Sequence, residues 1–309
     1  MVFDAVQKNE RDLRGSREEG KQNTMQKTVT LADGTVLPTL GMGTWNMGEG
    51  DAERRRAEMA SLQYGVEAGL KLVDTAEMYG NGRSESLVGE AIYRERDKVF
   101  LVTKVLPSNA SEDGVAKACR NSLRRLGTDW IDLYLLHWRG GVPLAETVQG
   151  FRKLKQEGLI RNWGVSNFDV EDILELENYV QPGECQVNQI LYSLEHRGVE
   201  YDLLDADRYR NIVTMAYSPI GQGGALLQNK ALKVVASRHK TSTGPATAAQ
   251  IALAWVLRQR NMIAIPKAGS IDHLKQNIAA QEITLNDADL AELDRAFAPP
   301  EKKISLEMI

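Results

Sequence analysis

From residue 28 onward, short apolar runs alternate with stretches in which apolar positions recur every three or four residues. Runs of four to eight apolar residues suit buried parallel strands, and the wider spacing suits amphipathic helices. The runs are LGMGT (40–44), KLVDT (71–75), VFLVTK (99–104), IDLYLLH (131–137), RNWGVS (161–166), CQVNQ (185–189), IVTMAYS (212–218) and MIAIPK (262–267). Ahead of them, TVTLADGTVL (28–37) predicts a β-hairpin turning on Asp33-Gly34. Helix signals fall between the runs. Asp51 precedes a segment with Met59, Leu62 and Val66 at helical spacing, and Ser111 opens EDGVAKACRNSLRRLG, which closes on Gly127. Pro143 opens a helix through Phe151 and Leu154, and Asp169 caps VEDILELENY. Eight strand-plus-helix units predict an α/β fold, a (β/α)8 TIM barrel with an N-terminal β-hairpin. An open doubly wound sheet would need a dinucleotide glycine fingerprint, and in GMGTWNMG the third glycine comes too late.

Residues 1–27 break this rhythm. They are rich in Lys, Arg, Glu, Asn and Gln, with too few apolar side chains to bury, and read as a mobile extension ahead of a single barrel domain, 28–309. Met25 is a candidate start of the folded part. The net charge of −4 argues against nucleic acid as the main partner, because phosphate binding favours a basic face. Two scattered cysteines, Cys119 and Cys185, form neither a disulfide framework nor a metal spacing and read as reduced core thiols. No run approaches the roughly 20 apolar residues of a membrane span, and no signal-peptide core opens the chain, so the cytoplasm is the expected location.

The polar residues that end the apolar runs carry the chemistry. Barrel enzymes build their sites at the C-terminal strand ends, and those ends read Thr44-Trp45, Asp74, Lys104, His137, Ser166-Asn167, Gln189, Tyr217-Ser218 and Lys267. Tyr79 stands on the loop after Asp74, beside Gly80, Asn81 and Gly82. Any one of these could be a strand-end cap, but eight in phase on one rim point to a site.

The blocks GMGTW, VDTAEMYGN, VTKV, DLYLLHW, GVSNF, QVNQI, AYSPI and IPKA, in this order and spacing, resemble the aldo-keto reductase family across residues 28–300. The wording TAEMYG, LLHW and RGVEYDLL is similar to its bacterial branch that reduces methylglyoxal and related aldehydes. The resemblance implies a catalytic tetrad of Asp74, Tyr79, Lys104 and His137 and a nicotinamide cofactor extended across the mouth. Gly43, Thr44, Trp45 and Asp74 would line its path, with Ser166, Asn167 and Gln189 at the carboxamide and Tyr217 stacked on the ring. Ser218, Pro219, Ile220, Gly221 and Gln222, in the glycine-rich SPIGQGGAL, would strap the pyrophosphate. Ile265, Lys267, Ala268, Ser270, His273, Gln276 and Asn277 would surround the adenosine and its 2′-phosphate, implying NADPH/NADP+. Ala268 and His273 stand where many members carry serine and arginine, and a neutral imidazole cannot match a guanidinium fork on phosphate, so NADH is also accommodated.

These residue types fit the reaction. Hydride addition to a carbonyl builds negative charge on oxygen, and Tyr79 can supply the proton. Lys104 would lower the phenol's pKa, Asp74 would keep the lysine charged, and His137 would orient the carbonyl. Trp45, Met47, Met78 and Trp138, with Tyr79 and His137, are expected to line the substrate pocket. The short segments RGGVPLAE and APPEKKISLEMI suggest an open site for small or varied aldehydes and ketones. A monomer or weak homo-oligomer acting on a small carbonyl, without metal, is the expected working form. Two further classes stay open. One is a nucleotide-sensing regulatory subunit on the same fold, like the β subunits of potassium channels. The other is a barrel metal hydrolase, although the four histidines (137, 196, 239 and 273) have no ligand spacing. The same tetrad could also oxidise alcohols, hydroxysteroids or xenobiotics with NADP+.

Overall fold

The computed structural model describes residues 27–309; the extension expected over residues 1–27 lies, but for Lys27, outside them. The hairpin comes first, as β1 (Thr28–Thr30) and β2 (Val36–Pro38), antiparallel, with Gly34 at a φ of 90° in the turn. Then β3 (Met42–Gly43), α1 (Ala52–Glu67), β4 (Leu72–Asp74), α2 (Arg83–Ile92), β5 (Phe100–Val105), α3 (Glu112–Leu126), β6 (Ile131–Leu136) and α4 (Leu144–Gln156) alternate. The second half continues with β7 (Ile160–Ser166), α5 (Val170–Glu177), β8 (Cys185–Leu191), α6 (Leu203–Tyr209), β9 (Val213–Tyr217) and α7 (Lys230–Ala236). A small ribbon, β10 (Lys240–Thr241) and β11 (Gly244–Pro245), precedes α8 (Ala248–Leu257), β12 (Met262–Ala264), α9 (Ile271–Ala279) and α10 (Asp287–Ala296).

Eight strands pair in parallel in the order β3-β4-β5-β6-β7-β8-β9-β12. Parallel bridges from Leu40 to Ala264 and from Gly43 to Lys267 join the two ends, closing the (β/α)8 barrel. The seam is tight: a Cβ on Gly43 would lie 2.5 Å from the Ile265 carbonyl oxygen, so only glycine lets the two backbones meet. All eight expected strands are present, but β3 and β12 are shorter than their apolar runs, because the closing seam there consists of isolated bridges.

The helix caps follow the side chains expected to make them. Asp51 accepts from the backbone N–H groups of Glu53 and Arg54, Ser111 from that of Gly114, and Asp169 from that of Val170. Gly127 ends α3 in the left-handed region. Apolar side chains fall into two layers. Leu72, Val102, Leu133, Leu135, Val187, Val213, Met215 and Ile263 fill the barrel interior, and Val29, Leu31 and Leu37 of the hairpin join them as a floor. Asn162 on β7 donates to Asp33 (2.6 Å), pinning that floor in place. A larger layer packs the helices onto the outside of the strands. With one end plugged by the hairpin, the polar strand ends gather at the other.

Candidate active site

Asp74 ends β4, and its two oxygens are separately engaged: Oδ2 accepts from Lys104 Nζ (2.8 Å) and Oδ1 from Gln189 Nε2 (2.8 Å). Lys104 sits on the neighbouring β5, fully buried, and also donates to the Thr75 carbonyl (2.8 Å) and the Tyr79 hydroxyl (3.1 Å). The ammonium stands 4.7 Å from the centre of the Tyr79 ring. His137, just past β6, meets that ring edge-on with centroids 5.8 Å apart. Thus four residues from the ends of β4, β5 and β6 and from the β4 loop converge on one point.

Electrostatics sharpen the roles. Burial works to drain the proton from Lys104, but the Asp74 carboxylate and the Tyr79 oxygen outweigh it and hold the ammonium charged, as expected. Burial raises the pKa of Asp74, with Lys104 and Gln189 acting against it. For Tyr79 the outcome differs from expectation. Lys104 does pull the phenol down, but burial, with Asp74 adding to it, pushes harder, and the net shift is upward. Tyr79 is therefore a firmly protonated donor before any substrate arrives. His137 is lowered to about 3, by burial first and the nearby Lys104 second, so its imidazole is neutral across the physiological range.

That last shift has a consequence for stability. The folded value lies below the ordinary 6.5, so between pH 6.5 and 3 the unfolded chain binds a proton that the native state refuses. Stability should therefore fall as the pH drops through this window. At pH 5 the loss attributable to His137 is about 2 kcal/mol. Urea unfolding at pH 7 and 5 should give a steeper loss for the native protein than for His137→Gln, and equal losses would contradict the assignment.

A buried hydroxyl chain, absent from the sequence reading, fixes this geometry. Thr75 Oγ1 donates to Ser84 Oγ (3.1 Å), Ser84 donates to Thr44 (2.8 Å to Oγ1, 3.0 Å to the carbonyl), and Thr44 Oγ1 donates to the Asp74 carbonyl (2.8 Å). All three hydroxyl residues are fully buried. The chain ties the β3 end and the start of α2 to the two residues that hold Lys104. Between them the Tyr79 loop runs through three left-handed residues, Gly80, Asn81 and Gly82. Glu85, buried on α2, accepts from Thr103 (2.7 Å) beside Lys104 and from Arg125 (2.6 Å), whose side chain lies against Gly82. The only trace in the sequence is RSES, polar residues on a helix face that turns inward.

The other expected residues fall into place unevenly. Ser166 donates to the Gln189 carbonyl (2.8 Å), and Asn167, at a φ of 56°, donates to the His137 carbonyl (3.1 Å) and accepts from the Tyr217 hydroxyl (2.9 Å). Ser166, Asn167, Gln189 and Tyr217 thus form one patch beside the tetrad. Ser218, Gly221 and Gln222 are all left-handed, giving the strap a tightly coiled turn, with Pro219 buried and Ile220 partly buried. Ser270 caps α9 by accepting from the His273 N–H (3.3 Å), while Lys267 and His273 are exposed nearby. Asn277 is buried on α9, and Gln276 accepts from Thr243 (3.2 Å) next to the ribbon. Ala268 is buried with its carbonyl bound by Ser61 (2.9 Å), and the Ile265 side chain belongs to the barrel interior, so neither side chain reaches the surface. Trp45 and Met78 are exposed on the rim, and Trp138 stands 5.0 Å from His137 between ring centres. Met47 is a correction: at 1 % exposure it packs in the outer core and lines no pocket.

The C-terminal tail also departs from expectation. Though short, it folds back along the mouth. Lys303 bridges Asp169 and Asp202, Ile304 packs on Gly198, Glu307 pairs with His196 (3.1 Å), and the Ile309 backbone reaches the Tyr217 hydroxyl.

The aldo/keto reductase family model matches residues 39–298, most of the chain. The chain belongs to this family. Methylglyoxal reductase YeaE of Escherichia coli is 46 % identical over 288 residues, covering 92 % of this chain and 99 % of that one. The NADH-specific methylglyoxal reductase of the same organism is 32 % identical, covering 86 % and 96 %. An aldo-keto reductase of Klebsiella pneumoniae solved with NADPH superposes with a TM-score of 0.87 at 45 % identity, covering 93 % and 100 %. The Klebsiella enzyme solved with NADP and acetate gives 0.86 at 46 %, covering 92 % and 100 %. The aldo/keto reductase fold and family are thereby established, and the chain is an oxidoreductase.

Proposed function

We propose that this aldo/keto reductase reduces small aldehydes and ketones, methylglyoxal among them, with NADPH. The observation that carries the reading is the Asp74–Lys104–Tyr79 chain: a buried ammonium on a neutral, protonated phenol at the barrel mouth. Bound cofactor would supply the hydride. The chain's own residues do the rest. Tyr79 is positioned to give its proton to the carbonyl oxygen as negative charge grows there. Lys104 stabilises the phenolate left behind, and Asp74 keeps Lys104 charged. His137, neutral and without a side-chain hydrogen bond among the described residues, is free to donate to the same oxygen and so fix the approach of the substrate. Trp45, Met78 and Trp138 give the rim an apolar surface that excludes water from small substrates.

The fit to a nicotinamide dinucleotide rests on donors and acceptors in the right class. The patch of Ser166, Asn167 and Gln189 is amide-rich and mostly buried, which suits a carboxamide. The start of α9 offers N–H groups, with Lys267 and Ser270 beside it, which suits a phosphate. Kinship with the NADPH-bound Klebsiella structure supports NADPH as the preferred cofactor. His273 and the NADH-specific relative support some use of NADH. We place the enzyme in the cytoplasm as a monomer or weak homo-oligomer; no helix among the described residues is long and apolar enough to cross a membrane.

Initial rates of NADPH and NADH oxidation over a panel of aldehydes and ketones test this reading. Lys267→Ala should raise the KM for NADPH about tenfold, the cost of one charge-assisted contact, and leave that for NADH nearly unchanged. Equal losses for both cofactors would remove Lys267 from the phosphate site.

A further inference from the structure

Gln189 is engaged in a way that cofactor recognition alone does not require. Only 1 % of it is exposed, and its amide nitrogen lies 2.8 Å from Asp74 Oδ1 and 3.0 Å from Met215 Sδ. Both neighbours accept hydrogen bonds, so the NH2 end must face them, and the orientation of the amide is fixed. Its oxygen, Oε1, accepts no hydrogen bond from the described residues. Meanwhile Ser166 and the Asn167 N–H both bind the Gln189 backbone carbonyl (2.8 Å each), locking β8 to the β7 end. Asp74 thus has one oxygen on Lys104 and the other on Gln189, which holds the carboxylate in a single rotamer.

We propose that Gln189 is a positioning residue that couples cofactor recognition to the tetrad, anchoring Asp74 through its amide nitrogen while its amide oxygen accepts from the nicotinamide carboxamide. The inference rests on the reductase reading and deepens it. A donor at Oε1, as the carboxamide of a bound cofactor would supply, would polarise the Gln189 amide and make its nitrogen a better donor. The hold on Asp74 therefore strengthens when the cofactor is in place. A carboxylate fixed in this way keeps its second oxygen on Lys104, which keeps the ammonium on Tyr79.

A double-mutant cycle between Gln189→Met and Asp74→Asn tests this, with three readouts. In the Asp74 background Gln189→Met should lower kcat about tenfold. In the Asp74→Asn background the same change should lower kcat less than about twofold, because the carboxylate it acts on is gone. NADPH affinity, read from quenching of tryptophan fluorescence, should fall in both backgrounds but further in the Asp74 background, because a hold on Asp74 that strengthens when cofactor binds strengthens cofactor binding by the same factor. In cofactor-free protein, urea unfolding should give coupled effects, the two changes together altering the unfolding equilibrium constant several-fold less than the product of the single changes. Gln189→Asn, which keeps an amide but cannot span both contacts, should behave as Gln189→Met does and covers the case in which methionine prevents folding. Independent effects on kcat, or multiplicative effects on unfolding, would overturn the proposal. Absence of any carbonyl reduction by the native enzyme would instead sink the reductase reading, while the unfolding cycle would still decide whether Gln189 positions Asp74.

Discussion

Tyr79→Phe should lower kcat by about 10²–10⁴ while leaving NADPH affinity within about twofold. The phenyl ring keeps the edge contact with His137 and the face under Lys104, so the substitution removes little but the hydroxyl. Lys104 retains Asp74 and the Thr75 carbonyl as acceptors, so the ammonium stays satisfied and the fold intact. Steady-state kinetics with a substrate whose chemistry limits turnover give the answer. A variant with near-native kcat would mean that the proton comes from elsewhere, and His137 would be the next candidate.

The second large effect falls on the buried ion pair. Lys104 is fully buried and Asp74 nearly so, and they meet at 2.8 Å. Lys104→Met leaves a buried carboxylate without its counter-charge, which should cost about 3–5 kcal/mol of stability and abolish most activity. Replacing both partners, with Lys104→Met and Asp74→Leu, should recover much of the stability, because paired burial of charge is itself costly. It should recover none of the activity, because Tyr79 still lacks the cation that stabilises its phenolate. Denaturant unfolding and kcat on the same three proteins separate the two roles. If the double variant were as unstable as the single one, the pair would not be the source of the loss.

The barrel and its polar strand ends were legible in the sequence for one physical reason, while the grouping of four of those residues as a tetrad came from the family resemblance. Parallel strands covered on both faces are written as apolar runs, so a polar residue ending such a run is conspicuous, as Asp74, Lys104 and His137 are. Helix ends were legible for a related reason, since Asp51, Ser111 and Asp169 are small polar caps that answer a local need. The features that stayed hidden depend on contacts between distant segments. Ser84 and Glu85 look like solvent-facing polar residues of a helix until α2 packs on β5 and puts them on Thr44, Thr75 and Thr103. Met47 looked like a pocket wall from its nearness to Trp45, but the loop turns it into the core. The tail looked too short to matter, yet its alternating KKISLEMI places Lys303 on Asp169 and Asp202 and brings Ile309 to Tyr217. The upward shift of the Tyr79 pKa is not legible in the sequence, because burial cannot be weighed against Lys104 until both are placed.

The most direct measurement traces the hydrogen itself. NADPH carrying deuterium at both C4 positions of the dihydronicotinamide is incubated with the native enzyme and methylglyoxal, and the alcohol is analysed by mass spectrometry and NMR. The account predicts one deuterium per alcohol formed, bound to the carbinol carbon, with one cofactor oxidised per molecule. Cofactor that binds without consuming the carbonyl, or alcohol formed without deuterium on that carbon, would contradict it.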